Sequence, residues 1–149
     1  MRITSVNVAI TAQIGNAVKA YASILIDNCM AIKNIRIIKR ENGYLMAMPS
    51  RKLDDKYDDV VYPINAETRS YIEDKVMDAF WLEVKNQLDS IMLPTNYQLR
   101  YNPEDIHDLA LIDKDNNKII DKYTIDDYKS ETLKELEEEI EEKLADIDG

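Results

Sequence analysis

The sequence predicts an α+β fold in which an antiparallel β-sheet of hairpins is covered by one amphipathic helix. Apolar and polar residues alternate through most of the first 48 positions, which is typical of strands that bury one face. The dipeptides Asp27-Asn28 and Asn42-Gly43 interrupt this alternation, and both favour tight turns. From Ile72 to Leu88 an apolar residue recurs every four positions, which indicates a helix with one apolar face. Because a sheet of hairpins leaves one face to be covered, this helix is expected to cover it.

Four strands are predicted before Pro49, whose missing N–H group ends the fourth. In the second strand, Ala22 and Ile24 share one face, and Tyr21 and Ser23 share the other. Asn-Gly readily supplies two positive φ angles, so the turn before the fourth strand is expected to use them. The predicted strands span residues 6–10, 18–26, 30–38 and 44–48, with a turn at residues 13–16.

The covering helix is predicted to follow Asn65, a favourable N-cap residue, with Glu67 near the positive end of the helix dipole. Burying five or six apolar side chains at ~1.5–3 kcal/mol each would hold this helix on the sheet. Its apolar stripe consists of Ile72, Val76, Phe80, Val84 and Leu88, with Met77 and Trp81 at the sides.

Charge divides the chain near Pro94. Residues 1–90 contain 12 Lys and Arg and 12 Asp and Glu, whereas residues 91–149 contain 7 and 17, which accounts for the net charge of −10. We therefore predict an α+β domain at residues 1–93 and an acidic C-terminal extension at residues 94–149. The extension is expected to hold a small hairpin (109–112 and 118–120) and an acidic helix from Glu131 to Ile147. The apolar stripe of that helix consists of Leu133, Leu136, Ile140, Leu144 and Ile147.

Composition predicts a cytoplasmic protein that does not enter a membrane. The N-terminal residues lack the basic and apolar regions of a signal peptide, and no apolar run approaches the roughly 18 residues of a membrane helix. A single cysteine allows no disulfide within the chain and no cysteine-based zinc site.

The residues that usually carry catalysis are scarce, so the chain is predicted not to be an enzyme and to need no cofactor. His107 stands alone in a polar stretch and is interpreted as an incidental surface residue. Cys29 precedes an apolar strand and is interpreted as a small buried hydrophobic residue. Three glycines leave no material for a phosphate-binding loop.

One segment begins like a calcium-binding loop, with Asp113, Asp115 and Asn117 at alternate positions. Such a loop needs glycine at its sixth position and glutamate at its twelfth. These positions hold Lys118 and Thr124, so we interpret the segment as a hairpin tip and predict no metal site.

A basic rim is predicted from Lys39, Arg40, Arg51 and Lys52, which lie near strand ends. Cations at the edge of a sheet suit contacts with nucleic-acid phosphates. The alternative is a solvated charged loop at residues 51–59, which also contains four aspartates. Three tyrosines lie near these residues in sequence and are candidates for stacking on bases: Tyr44, Tyr57 and Tyr62.

The first ninety residues resemble the SpoVG family of septation regulators. The order and spacing of several short motifs carry this resemblance, which covers about 60% of the chain. The motifs are Ala22-Ser23-Ile24 with Asp27, Ile35-Arg36-Ile37-Ile38, Asn42-Gly43, Ala47-Met48-Pro49-Ser50-Arg51-Lys52, Asp59, Pro63-Ile64-Asn65 and Thr68-Arg69.

The resemblance implies a dimeric cytoplasmic protein linked with septation and sporulation control, of a kind that binds DNA or RNA. It matches Arg51 and Lys52 to a basic pair associated with nucleic-acid contact, and Arg69 to an arginine in the first helical turn. Arg69 is expected to have a structural role, by pairing with Asp59 through a bidentate contact. The chain departs from the family at Asp58, where a basic residue is common, and in its first strand, which lacks arginines.

The resulting hypothesis is a dimeric DNA- or RNA-binding regulator that uses the basic rim. The alternative is a protein-interaction module that acts through the dimer edge and the helix from Glu131 to Ile147, without nucleic acid. The apolar stripe of that helix needs either a protein partner or its own sheet to bury it.

Overall fold

The computed structural model of this chain describes residues 1–11 and 15–148. The chain forms two compact units. The first comprises Met1–Ile10 and Asn16–Glu83, and the second includes the chain from Val84 onward. The predicted division into residues 1–93 and 94–149 stays a prediction. The turn predicted at residues 13–16 falls partly on Gln13 and Ile14, which lie outside the described residues.

The first unit contains a four-stranded antiparallel sheet in the order β1-β2-β3-β4 and a separate two-stranded hairpin, β5-β6. A long helix, α1, follows these strands, and its residues up to Glu83 belong to the first unit. The elements are β1 Ile3–Ala9, β2 Val18–Ile26, β3 Met30–Arg40, β4 Gly43–Ala47, β5 Ser50–Leu53, β6 Lys56–Asp59 and α1 Ala66–Asp89.

The second unit contains a three-stranded antiparallel sheet and a helix. The sheet has the order β7-β8-β9, so each strand pairs with its neighbour in sequence. The elements are β7 Tyr97–Asn102, β8 Asp105–Asp113, β9 Lys118–Thr124 and α2 Ser130–Asp148. The predicted α+β class with a helix after the first sheet is confirmed, and β7 is an additional strand beside the expected hairpin.

Two turns shape the four-stranded sheet. Asp27 (φ 51°) and Asn28 (φ 55°) both adopt the left-handed conformation between β2 and β3, as their sequence favours. The β3–β4 turn differs from the prediction, because Arg40 pairs with Gly43 and the turn residues are Glu41 and Asn42. Only Gly43 (φ 126°) of the Asn42-Gly43 dipeptide has positive φ, in a region that side chains rarely enter.

The core of the first unit lies between α1 and one face of the four-stranded sheet. Ile24 and Ile35 are buried on that face, and Val76 and Phe80 are buried on α1. The ring centroid of Tyr44 on β4 lies 5.4 Å from that of Phe80, so the predicted cover is confirmed. Burial of Ile72, Val76 and Phe80, which belong to the predicted stripe, stabilises this arrangement through the hydrophobic effect.

The start of α1 follows the predicted cap. Asn65 Oδ1 accepts a hydrogen bond from the backbone N–H of Thr68 at 2.8 Å. This bond satisfies one of the N–H groups that the first helical turn leaves without a partner in the helix.

The apolar stripe of α2 is buried within the chain itself. Leu133, Leu136, Ile140 and Leu144 are all buried, whereas Ile147 is 49% exposed and was wrongly included in the stripe. Beside this stripe, Nζ of Lys143 on α2 lies 3.9 Å from Oδ2 of Asp121 on β9. The intramolecular alternative therefore accounts for the stripe without a protein partner.

Candidate nucleic-acid interface

Positive charge is concentrated in the four-stranded sheet. Strands β1–β4 contain five lysines and arginines and no aspartate or glutamate, although the whole chain has a net charge of −10. The carboxylates of the first unit lie in its turns, in the β5-β6 hairpin and in α1. The field of such a sheet favours anionic ligands. The five residues are Lys19, which is buried, and Lys33, Arg36, Lys39 and Arg40.

Lys39 and Arg40 lie at the end of β3, beside the turn that leads to β4. Lys39 is paired with Tyr44, and its Nζ atom lies 5.6 Å from the centroid of that ring. Arg40 is paired with Gly43 and is exposed. Both cations are therefore at the surface, but the aromatic ring below Lys39 partly fixes its position.

Arg51 and Lys52 lie on β5, in a segment that was expected to be a loop. Residues 50–59 instead form a hairpin, with Asp54 (φ 55°) in its turn. Arg51 is opposite Asp58, and Lys52 is opposite Tyr57. Directly opposed residues on one face have Cβ atoms ≈ 4.5–5.5 Å apart, so Asp58 weakens the positive field of Arg51.

The structure divides the four predicted rim residues into two pairs. Arg36 Nη2 donates a hydrogen bond to Ser50 Oγ at 3.1 Å, which places the start of β5 beside Arg36. Arg40 lies four residues further along β3, or roughly 13 Å at the usual rise of a strand. Arg36 therefore belongs to the same cationic surface, although sequence reasoning left it out of the site.

Arg69 and Asp59, which were expected to pair with each other, have other partners. Arg69 Nε donates to Glu73 Oε1 at 2.9 Å, and Arg69 Nη2 donates to the backbone carbonyl of Met46 at 3.0 Å. Asp59 is exposed and is paired with Ser50 in the β5-β6 hairpin. The pairing of Arg69 with Asp59 was therefore wrong, and Arg69 instead connects α1 to β4.

The three tyrosines near the rim differ in their availability. Tyr44 packs between Phe80 and Trp81, with ring centroids 5.4 and 5.0 Å away, so the expectation that it stacks on bases is corrected. Tyr57 and Tyr62 are 71% and 61% exposed.

Sequence reasoning predicted the wrong burial for Cys29 and His107, the two residues considered as a nucleophile and a base. Cys29 is exposed in the β2–β3 turn, where its Sγ lies 3.0 Å from the carbonyl oxygen of Asp27. His107 is fully buried in β8, and its Nδ1 lies 3.1 Å from Asp105 Oδ1. Neither residue is at the cationic surface.

The calcium-like segment is the tip of the β8–β9 hairpin, as predicted. The two carboxylate oxygens of Asp113 accept hydrogen bonds from the backbone N–H of Asp115 and from Asn116 Nδ2. These bonds hold the turn together. Within residues 1–11 and 15–148, no three His, Cys, Asp or Glu side chains are grouped so that they would hold a metal ion.

Neither helix in the part of the chain that the structure describes is both long and apolar enough to cross a membrane.

These features define a small α+β protein whose most distinctive surface is a cationic sheet backed by a helix. The sequence model described as SpoVG matches residues 1–81, more than half of the chain. The chain belongs to the SpoVG family.

Several curated relatives are named septation protein SpoVG. The protein from Bdellovibrio bacteriovorus is 34% identical over 93 residues, which cover 62% of this chain and 84% of the relative. The protein from Clostridioides difficile is 40% identical over 81 residues, covering 54% and 87%. The protein from Agathobacter rectalis is 36% identical over 87 residues, covering 58% and 99%.

Proposed function

We propose that this chain is a regulatory protein linked to cell septation and sporulation control, and that it acts as a dimer that binds DNA or RNA. The names of its relatives support the link with septation. The proposed contact surface is the basic rim, divided into Lys39 with Arg40 and Arg51 with Lys52, together with Arg36 between them.

One observation carries the nucleic-acid part of the proposal: the charge separation within the first unit. Five cations and no carboxylate lie in β1–β4, while the chain as a whole is acidic. Cations that contact phosphates release condensed counterions, which makes binding favourable at low salt. A dimer doubles the number of these contacts, so modest contacts in one copy become effective together.

The test compares a charge-reversed rim with a matched control in the full chain. Arg51→Glu/Lys52→Glu is measured by fluorescence anisotropy with DNA and RNA oligonucleotides at about 50 and 200 mM salt. Lys114→Glu/Lys118→Glu makes the same change in charge at exposed positions of the β8–β9 turn region. We expect the rim variant to bind at least about tenfold more weakly at low salt, with a salt slope smaller by about 1.4–1.8 for each copy of the chain that contacts the strand, and the control to bind almost as the parent does.

Equal weakening of oligonucleotide binding by the two variants would mean that binding depends on the net charge of the chain and not on the basic rim. Absence of salt-dependent binding by the parent chain would contradict the nucleic-acid proposal itself.

A second candidate function is a protein-interaction module without nucleic acid. An exposed apolar cluster in the first unit favours it, with Met30, Tyr62 and Ile64 exposed by 59%, 61% and 88%. These residues surround a depression of about 270 Å³. Exposed apolar clusters of this kind mark contact sites between proteins.

A further inference from the structure

The four-stranded sheet has a second face, opposite the one that packs on α1. Residues alternate between the two faces of a strand, so Tyr21 lies on the opposite side from the buried residues Ala20 and Ala22. Tyr21 is 44% exposed, near the middle of the sheet. We call this surface the outer face.

Tyr21 is surrounded by partners that the strand register fixes. It is opposite Arg36 on β3 and opposite Ala9 on β1. A short side chain on one side and a cation on the other leave the tyrosine ring accessible beside a positive charge. The aromatic ring and the guanidinium group therefore belong to one cross-strand row.

A β-bulge brings a second cation to the same face. The β2–β3 register shifts between Ala22 and Ile24, and Asn34 has a φ of 64°. The shift places Lys33 and Asn34 together against Ser23, the next outer residue after Tyr21. Here the outer face has a depression of about 320 Å³, lined by side chains that include Asn7, Tyr21, Ser23, Lys33 and Asn34.

The charged side chains that the four strands place on the outer face are all positive. Arg36 and Arg40 share this face, because they are four residues apart on β3, and Lys33 lies beside them. Strands β1–β4 contain no carboxylate that would offset these cations. The ligand that matches this surface has phosphates for the cations and a flat ring for Tyr21.

We propose that the outer face binds single-stranded nucleic acid, with a base stacked on Tyr21 and neighbouring phosphates held by Lys33 and Arg36. This inference rests on the proposed function and extends the contact surface beyond the rim residues, to Tyr21 and Lys33 on the outer face. Single strands are favoured over duplexes because only unpaired bases offer their faces for stacking. Stacking accepts any base, so the surface is expected to bind with little sequence preference.

The test removes the ring without changing charge. The full chain, Tyr21→Ala and Tyr21→Phe are titrated against a labelled oligothymidylate strand and against a duplex of the same length, by fluorescence anisotropy at about 50 mM salt. We expect Tyr21→Ala to bind the single strand about five- to a hundredfold more weakly and the duplex nearly as well as the parent. Tyr21→Phe keeps the ring and is expected to restore binding. Tyr101→Ala is the control, because Tyr101 is a half-buried aromatic residue of β7, outside the four-stranded sheet.

The variant Arg51→Glu/Lys52→Glu, measured beside these, separates the two proposals. If it loses binding while Tyr21→Ala binds the single strand as the parent does, the outer-face inference is overturned and the proposed function stands. If Tyr21→Ala alone loses single-strand binding, the inference is supported and Arg51 and Lys52 are not the contact. No binding of either probe by the parent chain contradicts both proposals.

A second measurement detects the stacked base directly. Trp81→Phe/Tyr21→Trp moves the only tryptophan of the chain to the outer face. Stacking of a base on this ring is expected to quench its fluorescence as the single strand is added. An unchanged fluorescence signal at saturation would overturn the inference. A change in the mass of Tyr21→Ala in solution would also overturn it, because the outer face would then be a contact between two copies of the chain.

Discussion

At the scale of single residues, the clearest electrostatic feature is Asp127, just before α2. Its side chain is buried, and Oδ1 accepts hydrogen bonds from the backbone N–H of Lys129 and from Thr132 Oγ1, both at 3.1 Å. Burial alone would raise the pKa of Asp127, but these bonds and the charge of Lys129, whose Nζ lies 3.5 Å away, outweigh it. The net effect is a lowered pKa, so the charged carboxylate stabilises the folded state.

The lowered pKa of Asp127 predicts an acid-sensitive contribution to stability. Because the folded pKa lies below the unfolded one, this contribution is present above the ordinary value of 3.8 and is lost as the pH falls through the folded pKa. We expect Asp127→Ala to lower the free energy of unfolding by about 1 kcal/mol at neutral pH, because it removes the hydrogen bonds from Lys129 and Thr132. The difference from the parent should shrink as the pH falls below 3.8, in urea titrations followed by circular dichroism.

The matched control is Asp126→Ala, which removes an exposed neighbouring carboxylate. It is expected to change stability by less than about 0.5 kcal/mol. A loss at Asp127→Ala that is constant from neutral to acid pH would mean that packing, rather than charge, is responsible.

Burial of single residues was the least predictable property of the sequence. His107 alternates with Leu109 and Leu111 on the buried face of β8, so the period of two contained the signal for its burial. Its polar neighbours Asp105 and Asp108 obscured that signal. Cys29 is exposed because the two left-handed residues before it form a turn, which a preference for burial does not reveal.

At the scale of elements, α2 allows a direct comparison of two isoleucines. Ile140 is fully buried, whereas Ile147 on the same helix is 49% exposed. We expect Ile140→Ala to destabilise the fold by about 2–5 kcal/mol, because it removes buried apolar surface and leaves a cavity. Ile147→Ala should cost less than about 0.5 kcal/mol. Thermal and urea unfolding followed by far-UV circular dichroism measure both, and equal costs would refute docking of the apolar stripe within the chain.

The elements with strong apolar periodicity were predictable, and the polar ones were not. Strand β2 and the stripe of α1 follow directly from periods of two and four residues. The β5-β6 hairpin has two four-residue strands made mostly of charged and exposed residues, so no apolar alternation marks it. Strand β7 did carry alternation, at Tyr97, Leu99 and Tyr101, but the polar residues between them resembled a loop.

The residues of the candidate site were predictable from their charge, but their arrangement in space was not. Lys39, Arg40, Arg51 and Lys52 were found from their charge. Lys39 and Arg40 end β3, whereas Arg51 and Lys52 lie within β5 and not in the loop that was expected. Their separation into two pairs depends on the contact between Arg36 and Ser50, residues that are 14 apart in sequence. The outer-face row requires the register between β2 and β3, which the hydrophobic pattern indicates but the β-bulge shifts.

At the scale of the whole molecule, the charge distribution determines how far a polyanion is attracted. The excess of acidic residues lies after residue 90, while the sheet of the first unit is cationic. Attraction to nucleic acid therefore depends on the local field of the sheet rather than on net charge. Raising the ionic strength shortens the range of the attraction by the sheet and of the repulsion by the acidic residues. A measurement of binding at low salt is therefore the most informative.

The last prediction concerns self-association through the exposed apolar cluster. Met30 and Ile64 are among its exposed members, and burying them between two copies would remove apolar surface from water. We expect the parent chain to have twice its 17.3 kDa mass by sedimentation equilibrium. Met30→Glu/Ile64→Glu should shift the mass towards 17.3 kDa, because carboxylates would be buried without partners. Leu82→Glu, at a residue of α1 that is 57% exposed, should leave the mass unchanged. A variant that remains a dimer would place the contact elsewhere, and a monomeric parent would refute self-association and leave the cluster to a different protein.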